Sequence, residues 1–174
     1  MRDKCINSMI RVDHAGEYAA VCIYRGQEIA LRGTAEESVV RDMKLHEEAH
    51  LAYFNSAIKK RRVRPTVFLP VWHVATVCMG YVTAIMGKEA AMACTAAVEE
   101  VICEHYDSQI KQLQLLNEDK DSETMGKIAQ FREEEREHME EALNRGAEMA
   151  SGYGILSFMI KSACRLGIAV SKVL

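Results

Sequence analysis

The sequence predicts an all-α protein, a bundle of long helices. Only two prolines, Pro65 and Pro70, occur among its 174 residues, so few positions break a helix. No segment alternates β-branched and polar residues over the length of a strand, which argues against a sheet. Apolar residues make up 49% of the chain and charged residues 27%, as in globular proteins. We expect a single domain over residues 1–174.

The charge balance and the cysteines exclude some classes of protein. A net charge of −3 gives no general attraction to nucleic acid, and no nucleic-acid partner is expected. The six cysteines form no Cys-x-x-Cys pair and mostly lie in apolar stretches, which is typical of free thiols in a reducing compartment. The first ten residues, "MRDKCINSMI", lack the apolar segment of a secretory signal, although trimming of a longer precursor stays open.

The first two helices are predicted from their stop and start signals. A first helix spans roughly Lys4 to Arg32, and Gly33 stops it. Thr34 and Glu37 have the spacing of a capping box, which predicts the start of a second helix that continues to about residue 61.

An uncharged stretch follows the second helix. A basic cluster occupies residues 59–64, and Pro65 ends the helical pattern. Residues 66–87 contain no Asp, Glu, Lys or Arg and are long enough to span a bilayer. Their polar and glycine residues make them only moderately hydrophobic, so a re-entrant, surface-lying or buried core segment suits them better. The basic cluster favours anionic head groups.

Three further helices are expected. Lys88 opens a third long helix that fades at residues 117–122, and Ser122 is a candidate N-cap for a fourth, which ends before Gly152. A last helix covers residues 153–174.

The last helix has the pattern of a membrane-interface helix. Lys161, Arg165 and Lys172 fall on one side, and apolar residues cover the rest. The alternative is an ordinary bundle helix with a few surface cations. We favour a protein that sits on one leaflet without crossing it.

Buried acids mark the four long helices. In the second and fourth, a Glu-x-x-His pair interrupts an apolar stripe of helical spacing; in the first and third, a single Glu does so. The stripes are Val40, Met43, Glu47, His50, Phe54 and Ala57; Ile128, Phe131, Glu135, His138 and Ala142; Ile10, Asp13, Glu17, Ala20 and Tyr24; and Met92, Thr95 or Ala96, Glu99, Ile102, Tyr106 and Leu113. Glu133, Glu134 and Glu137 fall off the stripe and are interpreted as solvated or rim charges.

This order matches a di-iron carboxylate bundle, in which two helices each supply a Glu and two supply Glu-x-x-His. Four buried carboxylates without partners would cost several kcal/mol each, whereas two divalent cations neutralise them. Oxygen and imidazole donors without thiolates suit iron or manganese and argue against a structural zinc. The predicted metal ligands are Glu17, Glu47, His50, Glu99, Glu135 and His138. Glu47 and Glu135 are expected to bridge the two ions.

Five other residues have open roles. His46 is expected to be exposed, and His73 to be an interfacial or core polar residue. His14 and His105 either support the ligands or simply pack. Tyr106 either relays an electron or orients substrate, or is a core tyrosine with a satisfied hydroxyl.

Several stretches resemble the demethoxyubiquinone hydroxylase family of ubiquinone biosynthesis. They are "IRVDHAGEY" (10–18), "IYRGQ" (23–27), "RVRPTVFLP" (62–70), "GKEAAMACTAAVEE" (87–100), "HYDSQI" (105–110) and "FREEEREH" (131–138), in family order. The resemblance implies a ferritin-like four-helix bundle with additional membrane-interface helices and a centre of two Fe ions. It also implies hydroxylation of a polyprenyl demethoxybenzoquinone in the penultimate step of the pathway, with O₂ as oxidant and NADH as electron donor.

The resemblance further implies peripheral attachment to the matrix side of the mitochondrial inner membrane and a lipid-binding auxiliary protein as partner. It carries over the same six ligands and selects Glu99 from the two acids of "AVEE". Ala20 and "HEEAH" depart from the family pattern without touching a ligand. No Gly-x-Gly-x-x-Gly stretch exists, so an NADH site is not a Rossmann domain.

Two other functions remain as alternatives. A ferritin-like iron-storage protein would use the same ligands, but it would leave the apolar residues 66–87 and the amphipathic tail unexplained. A membrane-associated helical scaffold would carry the acids as surface charges and bind no metal.

Overall fold

Six α-helices of 17 to 29 residues make up most of the described chain, residues 2–115 and 122–173 of a computed structural model. They are α1 (Arg2–Ala30), α2 (Glu36–Arg61), α3 (Leu69–Ile85), α4 (Lys88–Leu115), α5 (Ser122–Asn144) and α6 (Tyr153–Val173), with a short 3₁₀ helix at Ala147–Met149. No strand occurs in the part of the chain that the structure describes. The predicted all-α class is confirmed.

The connection from α1 to α2 differs from the prediction. Gly33 has a positive φ of 80°, as a helix stop requires, but the capping box does not form. Thr34 Oγ1 donates back to the Leu31 carbonyl at 2.6 Å, and Glu37 Oε2 accepts from the Gly33 N–H at 2.7 Å. The capping-box prediction is wrong because the Thr34 hydroxyl bonds to the end of α1, which leaves Ala35 as the N-cap of α2 without a side-chain hydrogen bond.

The uncharged residues 66–87 contain α3, which lies against α1 at a very close crossing. A Cβ atom built on Gly80 would lie 2.0 Å from the Ile23 carbonyl oxygen, and one on Gly26 would lie 2.2 Å from the Val77 carbonyl oxygen. Only glycine allows backbones to approach this closely. The segment is therefore a packed helix of the domain, although several of its apolar side chains face outward.

Two helix ends after α4 bear on the predictions. The start of α5 at Ser122 agrees with the sequence, but the residues before it lie outside those described, so the capping role of Ser122 is not tested. The fourth predicted helix, α5, ends before Gly152 as expected, but well short of that glycine. It ends at Asn144 because Gly146 adopts a φ of 90°, and the chain then forms the 3₁₀ turn.

Helix α6 packs on α4 and α1 through a face that buries Ser157, Ile160 and Ser171, and two of its cations reach acids of α4. Lys161 Nζ lies 2.6 Å from Glu100 Oε2, and Arg165 Nη2 lies 2.9 Å from Glu104 Oε2, so these two cations pair with acids of α4. Within the described residues, Tyr153–Lys172 is the one stretch long and apolar enough to cross a membrane by length and composition.

Apolar side chains remain exposed on both outer helices. We define the α6 stripe as Ile155, Phe158, Met159 and Leu166, and the α3 stripe as Val71, Val74, Val82 and Ile85, all exposed. These stripes fit the predicted membrane-interface helices, and two of the α6 cations pair with acids of α4 beside them.

The helices α1, α2, α4 and α5 enclose a polar layer between two apolar clusters. Toward one end lie Ala20, Tyr24, Val40 and Met43 with parts of α4, and toward the other Ile6, Ile10, Phe54, Ile58, Leu113 and Ile128. Because both clusters are closed to water, whatever lies between them is desolvated.

Candidate metal centre

All six predicted ligand residues lie in that polar layer. Helix α1 supplies Glu17, α2 supplies Glu47 and His50, α4 supplies Glu99, and α5 supplies Glu135 and His138. Each of these residues is at most 5% exposed. Helical phase therefore places on one inward face the residues that the sequence predicted there.

The six residues form two overlapping groups, each with donor atoms within 4.8 Å of one another. One group contains Glu17, Glu47, His50 and Glu135; the other contains Glu47, Glu99, Glu135 and His138. Glu47 and Glu135 belong to both groups, and Glu17 and Glu99 belong to one each. The two carboxylates that the sequence predicted to bridge the ions are thus the two that both groups share. We call Glu17 and Glu99 the terminal carboxylates.

Both imidazoles point Nδ1 into the layer. His50 Nδ1 lies 3.0 Å from Glu135 Oε1 and 3.4 Å from Glu17 Oε2. His138 Nδ1 lies 3.1 Å from Glu47 Oε1 and 3.2 Å from Glu135 Oε2. The same nitrogen of each ring is therefore available to a cation between the carboxylates.

Among the predicted ligands, four buried carboxylate oxygens accept no hydrogen bond: Glu17 Oε2, both oxygens of Glu47, and Glu99 Oε2. The 3.1 Å contact of His138 Nδ1 with Glu47 Oε1 lacks the angles of a hydrogen bond. A buried carboxylate left in this state is costly, and a bound cation removes the cost. The donor set of oxygens and imidazole nitrogens without thiolate suits iron or manganese. The residues present therefore fit a pair of divalent cations.

Without a cation, the buried carboxylates bind protons more readily. Burial and the nearby charge of Glu135 raise the pKa of Glu47 and of Glu99 well above the ordinary range. Burial also acts on Glu135, but hydrogen bonds from His138 and His50 outweigh it and lower its pKa to about 2. Cations that bind here displace protons from the carboxylates.

Two buried tyrosines hold the terminal carboxylates. Tyr24 on α1 donates to Glu99 Oε1 of α4 at 2.6 Å, and Tyr106 on α4 donates to Glu17 Oε1 of α1. Tyr106 thus has a satisfied hydroxyl, as one interpretation expected, and its partner is a predicted ligand. Sequence reasoning missed the matching role of Tyr24. The sequence held a signal for this role, because each tyrosine lies seven residues after the predicted ligand Glu of its own helix.

Two residues beside the layer were assigned no functional role from the sequence. His50 Nε2 lies 2.6 Å from Glu134 Oε2, so Glu134 is more than a solvated rim charge. His46 is exposed as predicted, yet its Nδ1 lies 3.1 Å from His138 Nε2. Each residue directly precedes the Glu of a Glu-x-x-His pair and lies off the apolar stripe, so helical phase alone would not have found it.

The remaining histidines lie outside both groups. His105 Nε2 lies 3.3 Å from Asp13 Oδ1, which also accepts from Gln109 Nε2 at 2.6 Å. His14 Nε2 pairs with Asn55 Oδ1 at 3.2 Å. Neither histidine hydrogen-bonds a predicted ligand.

His73 is the polar residue of α3 that the sequence expected. Its Nδ1 lies 2.9 Å from the Tyr18 hydroxyl and 3.4 Å from Cys22 Sγ, so it links α3 to α1. It belongs to neither ligand group.

An apolar cavity of about 150 Å³ lies beside the polar layer, enclosed by α1, α3, α4 and α6. It is bordered by small or apolar side chains, including Ala15, Ala19, Met79, Ile102 and Ala163. Gly16 and Val98, which adjoin Glu17 and Glu99 in sequence, also line it. The cavity thus follows the stretches of α1 and α4 that carry the terminal carboxylates.

Known proteins resemble the chain over nearly its whole length. A sequence model of the family described as Ubiquinone biosynthesis protein COQ7 matches residues 4–171. The chain is 44% identical over 167 residues to NADPH-dependent 3-demethoxyubiquinone 3-hydroxylase, mitochondrial, of Mus musculus, with 96% of this chain and 77% of the relative covered. It is 43% identical over 168 residues to 3-demethoxyubiquinol 3-hydroxylase of Rhodospirillum rubrum, again with 96% and 77% covered.

A yeast relative extends the comparison. The chain is 38% identical over 176 residues to 5-demethoxyubiquinone hydroxylase, mitochondrial, of Saccharomyces cerevisiae, with 94% of this chain and 76% of the relative covered. The predicted resemblance is confirmed. The chain belongs to the family described as Ubiquinone biosynthesis protein COQ7.

Proposed function

We propose that the chain is a non-haem di-iron monooxygenase that hydroxylates the ring of a polyprenyl demethoxybenzoquinone in ubiquinone biosynthesis. Its relatives are named as demethoxyubiquinone hydroxylases, which confirms the enzyme class predicted from the resemblance. The structural observation that carries the di-iron proposal is the pair of groups that share Glu47 and Glu135.

Two iron ions would be held by the six predicted ligands, with Glu17 and His50 on one side and Glu99 and His138 on the other. Bound iron supplies the activation of O₂ that ring hydroxylation requires. A ring C–H becomes C–OH, the second oxygen atom leaves as water, and a reductant provides two electrons.

The protein's own residues would position the quinone and keep water away from the reaction. The apolar cavity would receive the quinone, because its lining contributes apolar and small side chains along the helices that carry Glu17 and Glu99. The apolar clusters on both sides of the polar layer exclude water from the reaction. Tyr24 and Tyr106 hold the two terminal carboxylates in place.

A reduced nicotinamide nucleotide is the proposed electron donor. The resemblance led us to expect NADH, whereas the mammalian relatives are named NADPH-dependent, so both nucleotides belong in the assay. No residue is assigned to the nucleotide.

Attachment to one leaflet follows from the apolar stripes of α3 and α6. Two of the relatives are named as mitochondrial. We propose, as the family resemblance implies, the matrix side of the inner membrane and a lipid-binding auxiliary protein as partner. We propose that residues 1–174 act as one domain in this setting.

The function is tested with anaerobically iron-loaded protein, a demethoxyquinone, NADH or NADPH, and ¹⁸O₂. Mass spectrometry should find one ¹⁸O atom in the product. Glu135→Ala should abolish product formation, and Glu137→Ala, an exposed neighbour on the same helix, should retain it. Rapid iron uptake without hydroxylated product would favour the iron-storage alternative, and full activity of Glu135→Ala would end the di-iron assignment.

A further inference from the structure

The two imidazoles of the candidate metal centre each have an inner and an outer nitrogen. His50 Nδ1 and His138 Nδ1 face the carboxylates, at 3.0 Å from Glu135 Oε1 and 3.1 Å from Glu47 Oε1. A ring that binds a cation through Nδ1 carries its proton on Nε2, so the Nε2–H donates outward. Whatever accepts that proton acts on the metal ligand.

The two halves of the centre hold their carboxylates in a matching way. Tyr106 donates to the terminal carboxylate Glu17, and Tyr24 donates to the terminal carboxylate Glu99. The two remaining carboxylates belong to both groups. The outer partners of the two imidazoles are the clearest chemical difference between the two metal positions.

Those partners differ in charge. His50 Nε2 lies 2.6 Å from a carboxylate oxygen of Glu134, whose other oxygen accepts from Gln130 Nε2 at 2.8 Å and is thereby fixed. His138 Nε2 lies 3.1 Å from His46 Nδ1, and the two rings are within 14° of parallel. An imidazole carries no negative charge in any form near neutral pH, so only His50 has an anionic outer partner.

We propose that Glu134 and His46 are positioning residues that make the two metal positions unequal, with the His50 position binding a divalent cation more tightly than the His138 position. A carboxylate that accepts the outer N–H increases electron density on the imidazole and fixes its orientation, whereas a neutral ring does so less. This inference rests on the proposed metal centre and adds that the His50 position binds its cation before the His138 position does.

Single-site backgrounds test the inference with Co²⁺ as the probe. His138→Ala leaves the His50 position, and His50→Ala leaves the His138 position. Chelator competition with the metal-free full chain should show that Glu134→Gln lowers the Co²⁺ affinity roughly 10–100-fold in the His138→Ala background. The same change should have no effect in the His50→Ala background. Glu137→Gln, the same change on an exposed residue of α5, should have no effect in either.

Two further measurements separate positioning from loss of fold. In the His50→Ala background, His46→Glu should raise the Co²⁺ affinity, because it offers His138 a charged acceptor. In the otherwise unsubstituted Co²⁺ form, each ligand imidazole should give a hyperfine-shifted, solvent-exchangeable N–H signal in the NMR spectrum. Glu134→Gln should move the His50 signal and leave the His138 signal in place.

The outcomes distinguish this inference from the proposed metal centre. Equal losses in both backgrounds, or no loss in the His138→Ala background, would overturn the inequality. Binding of two Co²⁺ ions per otherwise unsubstituted chain would then leave the metal centre standing. A chain that binds no Co²⁺ would overturn both.

Discussion

Single hydroxyl groups hold the carboxylates of the candidate metal centre from the opposite helix. Tyr24 reaches from α1 to Glu99 on α4, and Tyr106 reaches from α4 to Glu17 on α1. Both tyrosines are about 1% exposed, so water does not replace a lost hydroxyl. These crossed hydrogen bonds tie the two halves of the bundle together at the level of the polar layer.

Tyr24→Phe should therefore destabilise the metal-free protein. The substitution leaves a buried oxygen of Glu99 without its donor, which costs about 1–3 kcal/mol of the free energy of unfolding in urea. Tyr81→Phe, at a tyrosine that is 42% exposed, should change that free energy by less than about 0.5 kcal/mol. Equal changes in the free energy of unfolding would show that the Tyr24 hydrogen bond does not stabilise the protein.

Asp13 predicts a pH dependence of stability. Burial raises its pKa above the ordinary value of 3.8, and a hydrogen bond from His105 offsets only part of this. An acid with a raised pKa in the folded state favours folding in its protonated form, so its contribution falls as the pH rises from the unfolded pKa through the folded one. Asp13→Asn should gain stability relative to the unsubstituted protein as the pH rises above about 4, where the unfolded carboxyl group loses its proton. A difference in melting temperature that is constant with pH would contradict this.

The positions of the candidate ligands could be predicted from the sequence, but the residues next to the outer nitrogens of the two imidazoles could not. Glu47, Glu135 and their histidines interrupt apolar stripes, and helical phase alone shows that they face inward. Glu134 and His46 lie off those stripes, where an exposed charge is the ordinary interpretation. Only the approach of α2 to α5 turns them toward an imidazole, and no periodicity within one helix encodes that approach.

At the scale of elements, the crossing of α1 and α3 depends on two glycines. Gly80 packs against the carbonyl of Ile23, and Gly26 packs against that of Val77, at distances that exclude a side chain. The sequence identified the uncharged stretch but left its placement open, because it does not reveal which backbones meet. Likewise, Gly146 ends α5 through a left-handed turn that composition did not distinguish from the later glycines.

Gly80→Ala should push α3 away from α1. A Cβ atom 2.0 Å from a backbone oxygen requires a helix shift, and overpacking of this kind costs about 1–3 kcal/mol or more of the free energy of unfolding. Gly126→Ala in α5 is the matched control, because nothing lies within 4 Å of the added atom and alanine favours the helix by about 0.5–1 kcal/mol. Chemical denaturation should therefore give opposite signs, and a stabilised Gly80→Ala protein would contradict the close crossing.

At the scale of the whole molecule, α3 and α6 carry two stripes of exposed apolar side chains. The α6 stripe and the α3 stripe face outward, while Lys161 and Arg165 of α6 pair with acids of α4. The predicted amphipathic helix exists, but two of its three cations form ion pairs with α4 and are less available to lipid head groups. Membrane attachment should therefore depend mainly on apolar contact. The cavity between these helices could not be predicted, because it arises from how four helices pack and not from any one of them.

Phe158→Asp should weaken binding to lipid vesicles. Phe158 is 71% exposed in the α6 stripe, and loss of its burial in lipid should lower partitioning by about tenfold or more in a flotation assay. Leu45→Asp makes a comparable change at a 53% exposed residue of α2 and should have little effect. Equal partitioning of both variants and the unsubstituted protein would contradict attachment through α6.

The central claim is that six buried side chains hold two iron ions for hydroxylation, and a count of bound iron tests it most directly. Anaerobic loading with Fe²⁺, removal of free metal and elemental analysis should give two ions per chain. Glu135→Ala, which removes a carboxylate shared by both groups, should give less than one ion, and Glu137→Ala should give two. A chain that retains no iron, or a Glu135→Ala chain that retains two ions, would contradict the account.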